Sequence, residues 1–393
     1  MNARKPYRKT EHKRRAVVVV QVVVLLGVLI GAAALTIDVG GMFAARADLQ
    51  RTADAAALAA VSGYVTDNMM LVRLAEGDSE LFSDVRTLSQ SRAVEIGESN
   101  GTYGTDSTYL PNSDITLGWI DVASGTSPID TTAPLDAYNA VQVQARRTSD
   151  SNNGPVDFLF ASIFGHYYGE VTATATAAFD DRVLGFDPSV SPGYLLPFSV
   201  NEDEYGAQLA AGNDKYSFHN EGGVVDSSPD GIGEIDIYPG NLAPGNFGLL
   251  NIGTPNQGAS ALGDQIQNSV SPEDVEAEIG STTFAFFDSS GSPITYEITG
   301  DPGLTASLEP DIELREGDII AFLLHSLVVE QGSNSVYTIT DIRFGRLMKV
   351  RIQGAVNARG LWIQPVNFAG PGVILDPAAP STNGRLGQLV LVR

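Results

Sequence analysis

The hydrophobic pattern along this chain changes character four times, and each change marks a different element. Residues Ala16–Ile37 form a run of 22 residues with no charge and a single amide, Gln21. As a helix the run is about 33 Å long, enough to cross a hydrocarbon core of about 30 Å. Its many valines would suit a strand in water, but in lipid the backbone must satisfy its own hydrogen bonds, so a helix is predicted. From Asp38 to Thr66 the chain turns Ala-rich with interspersed charge, which favours a continuing helix. Met42, Phe43, Leu49, Ala53, Ala56 and Ala60 are expected on one face, with Arg46, Gln50, Arg51 and Asp54 largely off it. A second amphipathic helix is predicted from about Glu80 to Glu98, with Leu81, Val85, Leu88 and Ile96 at helical spacing and Asn100-Gly101 ending it.

After residue 100 the period becomes strand-like. Ile115–Val122, Ala140–Arg146 and Val171–Ala177 are strand candidates, and the last two alternate cleanly. A long helix followed by three antiparallel strands predicts an α+β module over residues 38–180. Pro and Gly punctuate residues 181–197 like a linker. Residues 198–375 carry short apolar runs between turn-forming residues: Thr283–Phe287, Ile294–Ile298, Asp318–Leu324, Val336–Ile342 and Leu347–Ile352. That rhythm predicts a β-rich module, a sandwich or open barrel. Residues 376–393 read as a C-terminal tail ending in a strand candidate, Leu389–Val392.

Charge sets the expected orientation. The first fifteen residues hold seven basic side chains against Glu11 alone, a net +6, so the remaining 378 residues carry -29 of the chain's -23 total. Residues 1–15 are therefore expected to be a basic cytoplasmic tail, residues 16–37 a transmembrane helix, and the bulk extracytoplasmic. A cleaved signal peptide is the competing reading, with Ala32-Ala33-Ala34 as a cleavage site. The apolar run is longer than the usual 7–15 residues and the helical pattern continues past it, so an uncleaved anchor is expected. Beyond residue 15 only 17 basic residues face 46 acidic ones, which argues against nucleic acid as a partner. With no cysteine there are no disulfides, thiolate metal sites, cysteine nucleophiles or lipid-carrying cysteine.

The N-terminal half resembles the TadG-like proteins of Flp pilus (tight adherence) systems. The residues that carry the resemblance are Arg14-Arg15 before the span, Ile37-Asp38-Val39-Gly40, Arg46, Leu49-Gln50-Arg51, and Ala53-Asp54 with the Ala-rich run to Ala60. Asn139–Val143 with Arg146-Arg147, Phe158–Ala161, Phe164-Gly165 and the Ala-Thr alternation ending at Phe179 extend it over about residues 14–180. Looser likeness to C-terminal regions of such proteins lies in Pro244–Leu250, in Leu314-Arg315-Glu316-Gly317-Asp318, and in Val336–Ile339 leading to Phe344. The resemblance implies an accessory envelope component of a pilus or adhesion apparatus, and it does not imply an enzyme. Pilins cut by a prepilin peptidase have Gly before the cut and Glu at the fifth mature position. Here no Gly precedes Ala16 or Val17, and the fifth residue counted from Val17 is Gln21 rather than Glu, so cleavage and fibre assembly are not expected.

Several motifs invite a chemical reading, and none nominates catalytic, cofactor-binding or metal-binding residues. Asp288-Ser289-Ser290-Gly291-Ser292 matches the DxSxS pattern of a von Willebrand A metal site, but a strand-like run follows where that site needs a helix. A hairpin turn is the better reading. Asp226, Asp230, Glu234 and Asp236 cluster four carboxylates that could wrap Ca²⁺ but lack full EF-hand spacing, so an exposed acidic turn is expected. His12, His166, His219 and His325 are scattered, and Gly77-Asp78-Ser79-Glu80-Leu81 is a broken serine-hydrolase block. No Walker loop, dinucleotide glycine pattern or GxSxG elbow occurs. The expected partners are the lipid bilayer and pilus-assembly or envelope proteins, with no nucleic acid, no cofactor and no small-molecule substrate identified. A divalent-cation-dependent adhesion module and an exported hydrolase with an unrecognised site are the alternatives.

Overall fold

A computed structural model of the chain describes residues 11–392. It leaves out residues 125–127, 220–222, 239–245, 254–257, 289, 330–334, 356–357, 378, 380 and 383–384. The side chains of residues 11–17 also lie outside the description, as do most of the basic tail and the Pro244-Gly245 part of the motif at residues 244–250. The fold is α+β: one long helix that begins apolar, then a region of short helices and several sheets.

Helix α1 runs from Glu11 to Val61 without a break, so the apolar span and the Ala-rich segment are one element. Between Asp38 and Ala60 its buried positions recur every three or four residues: Asp38, Gly41, Ala45, Leu49, Thr52, Ala56 and Ala60. Leu49, Ala53, Ala56 and Ala60 lie on the predicted face and are fully buried. Phe43 does not; it is 69% exposed, because a rotation of about 100° per residue carries it round toward Arg46. Helix α2 spans Asp67–Leu74 and α3 spans Ser79–Ser99. The buried stripe of α3 is Phe82, Val85, Ser89, Ala93 and Gly97, so Leu81, Leu88 and Ile96 are only half-buried. The second half of that stripe, Ser89, Ala93 and Gly97, is small because neighbours come very close there. A Cβ on Gly97 would sit 2.5 Å from the Thr108 carbonyl oxygen.

By their contacts the residues form two compact units. The first comprises residues 1–56, 93–115 and 143–175, and the second 57–92, 116–142 and 176–393. In the first, Arg147 is a buried tie, 6% exposed. It donates to the carbonyls of Tyr103, Gly154 and Pro155, each at 2.8 Å, and so holds two loops with one planar guanidinium. Arg146 forms a two-pronged pair with Asp114 at 2.8 and 2.9 Å.

The second unit is built around a strand ring. Strands Leu195–Asn201, Phe247–Leu250, Tyr296–Asp301, Ser335–Arg351 and Ile319–Val329 pair in that order. The last pairs back onto the first in parallel, closing a five-strand barrel. The two runs predicted at Val336–Ile342 and Leu347–Ile352 are one 17-residue strand, Ser335–Arg351. The intervening Arg343-Phe344-Gly345-Arg346 keeps its pairing to Ile319–Phe322, and Gly345 marks a close approach of Ile363 rather than a turn. Inside the barrel Tyr337 is fully buried and donates to the Phe247 carbonyl at 3.2 Å. A Cβ on Gly248 would meet that ring at 2.6 Å, so glycine leaves the room it needs. His325 packs edge-on to Tyr337, with Nδ1 2.6 Å from Ser199 Oγ.

Helices α4 (Glu202–Ala211), α5 (Ala259–Asn268), α6 (Pro272–Ile279) and α7 (Glu309–Glu313) complete this unit. Tyr205, Leu262, Ile266 and Ile312 from α4, α5 and α7 share a core with Leu196, Phe198 and Phe322 of the barrel's outer face. The Pro/Gly-punctuated stretch 181–197 carries a strand, Val183–Phe186, because its apolar residues join the core with Phe284 and Val373. The C-terminal strand Leu386–Val392 pairs antiparallel with the end of Val171–Asp180, from Gln388 opposite Asp180 to Val392 opposite Thr176.

The motif Leu314–Asp318 is a structural junction of this unit. Arg315, 8% exposed, donates Nη1 to the Ile266 carbonyl at 2.9 Å and Nη2 to the Gly193 carbonyl at 2.8 Å. It also reaches Ser269 Oγ at 3.2 Å and Asp318 at 2.7 Å. Glu316 accepts from the Val350 amide at 3.0 Å and Lys349 at 2.9 Å. Gly317 adopts φ 93°, a left-handed conformation that favours glycine.

Candidate functional site

The region with most to do outside the protein's own core is where α1 leaves its apolar run. Val18 through Ile37 present side chains such as Val28 (65% exposed) and Leu35 (62%) to the surroundings. The next residue, Asp38, is buried at 7%. Its carboxylate accepts three successive backbone N–H groups: Leu159 at 2.8 Å, Phe160 at 3.1 Å and Ala161 at 2.6 Å. These lead into a short 3₁₀ turn, Ala161–Phe164, closed by Gly165 at φ 85°. The turn sits on a small hairpin, Val156–Asp157 against Tyr168–Gly169. A Cβ on Gly169 would meet Met42 Sδ at 2.7 Å, so the hairpin base lies tightly on α1. Leu35, Asp38, Val39, Met42, Phe43 and Phe158 are among the walls of a groove of about 440 Å³ there.

A second concavity, of about 740 Å³, lies wholly within the second unit. Arg73, Arg385, Asp136 and Asp181 bring two cations and two anions to walls that include Trp119 and Phe179. Burial lowers Arg73 to about 10, with the Asp181 carboxylate opposing that shift and the Arg385 guanidinium adding to it. These residues come from widely separated parts of the chain, so no local motif announces the cleft.

The candidate motifs resolve into structural roles. Asp78 accepts from the amides of Glu80 (2.8 Å) and Leu81 (3.1 Å), so the Gly77–Leu81 block is the start of α3. Asp288 accepts from the Ser290 hydroxyl, and from the Ser290 and Ser292 amides at 2.8 and 2.9 Å. The hydroxyl first, and then the two amides, hold its carboxyl below the usual range. Ser289 lies outside the described residues. Of the four acidic residues near 226–236, each turns to a different partner. Asp226 faces His219 at 3.1 Å, and Asp230 accepts from the Gln364 amide at 2.9 Å. Glu234 accepts from the Lys215 amide at 2.7 Å, and Asp236 from the Leu361 amide at 2.9 Å. Among the described residues no group of three or more His, Asp or Glu is placed to hold a metal ion.

One long apolar helix whose far half is built into folded structure fits a single-pass membrane anchor carrying a body. Residues 17–63 match the model of the Flp pilus-assembly TadE/G-like family. The N-terminal segment is thus TadE/G-like, as its Asp38, Arg46 and Ala-rich run implied, and it supports a pilus-related accessory role. The match ends at Gly63, so the likeness read over residues 64–180 rests on those residues alone. Neither the curated proteins nor the solved structures contain a match to this chain.

Proposed function

We propose that this chain is a membrane-anchored, extracytoplasmic structural protein that helps assemble or anchor a Flp/Tad-type pilus or surface-attachment apparatus. The carrying observation is that the family match coincides with α1, the element that is apolar at one end and buried in folded structure at the other. Arg14 and Arg15 next to the span, against the acidic remainder, favour a cytoplasmic N-terminus and an exported body. Its role is to hold and present surfaces rather than to catalyse a reaction. Its partners are the bilayer and pilus-assembly or envelope proteins.

Affinity purification of the full chain from detergent-solubilised native membranes tests the assignment. Co-recovery of a secretion ATPase, a platform protein or a pilin is expected. Recovery of the chain with none of these, under conditions that preserve other membrane complexes, would sink it.

A further inference from the structure

The loop Leu159–Tyr168 exposes more apolar surface than the protein's interior accounts for. Leu159 is 69% exposed, Ile163 and Phe164 78% each, and Tyr167 66%. The ten residues Leu-Phe-Ala-Ser-Ile-Phe-Gly-His-Tyr-Tyr contain no Asp, Glu, Lys or Arg, in a chain of net charge -23. Left in water, contiguous apolar side chains of this size are costly. Their position gives them an occupant. Asp38 is the residue directly after the apolar run, and three hydrogen bonds fix the loop to it. The loop therefore stands at the axial level where α1 passes out of its apolar segment. Val39 and Phe43, 42% and 69% exposed, continue the same apolar surface along the helix. At a rise of 1.5 Å per residue Phe43 lies only about 8 Å beyond Asp38, within the depth of a headgroup layer.

We propose that the Leu159–Tyr168 loop is a second membrane contact, seated in the interfacial layer of the bilayer that α1 spans. The proposal rests on α1 being a membrane helix. Ile163 and Phe164 reach to the acyl boundary, and Tyr167 and Tyr168 stay at headgroup level, where an aromatic ring with a polar tip is favoured. Asp38 keeps its charge out of lipid by directing it to the loop's backbone amides. The loop itself carries no Lys or Arg, so its seating does not require anionic lipid. One helix alone leaves the first unit free to swivel. A helix plus a tied loop hold that unit at one tilt and rotation.

The absence of native cysteine makes the test direct. Full-length Phe164→Cys, Val28→Cys and Ser307→Cys variants are each labelled with an environment-sensitive dye and reconstituted in phosphatidylcholine vesicles. Lipids carrying a shallow or a deep nitroxide are then added. The Phe164→Cys dye is expected to lose fluorescence, and to lose more with the shallow quencher. The Val28→Cys dye should be quenched more by the deep one. The Ser307→Cys dye, on an exposed site of the second unit, should be quenched by neither. Quenching in Val28→Cys with none in Phe164→Cys would overturn the loop contact while leaving the anchor intact. A Phe164→Cys dye that is water-shielded but unquenched would mean that protein covers the loop, and overturns it equally. No quenching in Val28→Cys would remove the anchor and the loop contact together.

Discussion

Arg315→Ala is expected to destabilise the second unit by about 4 kcal/mol, enough to lower its urea midpoint clearly. The side chain is nearly fully buried and satisfies the Ile266 and Gly193 carbonyls together with Ser269 Oγ. Truncation strands these acceptors away from water, at about 1–3 kcal/mol for each group left unpaired. Ile266 lies in the last turn of α5, and Ser269 just beyond it holds φ 69°, unusual for a residue with a side chain. The guanidinium therefore also fixes a strained helix exit. Because total stability of a domain is about 5–15 kcal/mol, a loss of this size is a large fraction of it. Lysine cannot fork to carbonyls on both sides, so Arg315→Lys should recover less than half of the loss. Urea unfolding of the full chain in detergent reads both variants. A midpoint for Arg315→Ala within error of the parent would contradict the junction role.

The second unit should also lose stability as pH rises from 5 to 8, the reverse of what an acidic protein's carboxylates usually do. Glu234 is 2% exposed. Burial pushes its carboxyl up to about 7, against the pull of the Lys215 and Tyr216 amides. Burial likewise raises Asp236 to about 6, against the Leu361 and Tyr238 amides. A carboxyl whose folded value lies above its unfolded one binds its proton more tightly in the folded state. Its stabilisation is complete below the unfolded value and is gone once pH passes the folded value. For Glu234 that window runs from about 4.5 to 7, and the shift corresponds to about 3 kcal/mol. Urea midpoints should fall across it. Glu234→Gln, which cannot ionise, should flatten most of the slope whatever it does to absolute stability. A parent midpoint that is constant or rises between pH 5 and 8 would refute the assignment.

How much of the fold and site is legible in the sequence depends on whether the signal is local. The apolar run and the Leu49, Ala53, Ala56 and Ala60 face of α1 are readable because helical periodicity is written in neighbouring residues. The buried face of α3 is misplaced by periodicity because Ser89, Ala93 and Gly97 carry little hydrophobic signal; they are buried to permit close approach. The strand Ser335–Arg351 is split at Gly345, since a glycine between apolar runs reads as a turn when it instead makes room for Ile363. The tie from Asp38 to the Leu159–Ala161 amides spans more than 120 residues of sequence, and nothing near Asp38 points to it. The acidic stretch at 226–236 looks like one cluster because sequence shows proximity, not direction. The fold points its carboxylates to four different partners.

The anchor is the claim on which the functional reading depends, and labelling single cysteines from one side of the membrane tests it directly. Asn2→Cys and Ser307→Cys full-length variants are exposed to an impermeant maleimide in right-side-out membrane vesicles, before and after detergent. The proposed topology requires Ser307→Cys to label at once and Asn2→Cys to label only after detergent, on a chain of intact mass that resists extraction by alkaline carbonate. Labelling of Asn2→Cys with Ser307→Cys shielded would reverse the orientation. A body that has lost residues 16–37 and washes off the membrane would contradict the anchor itself.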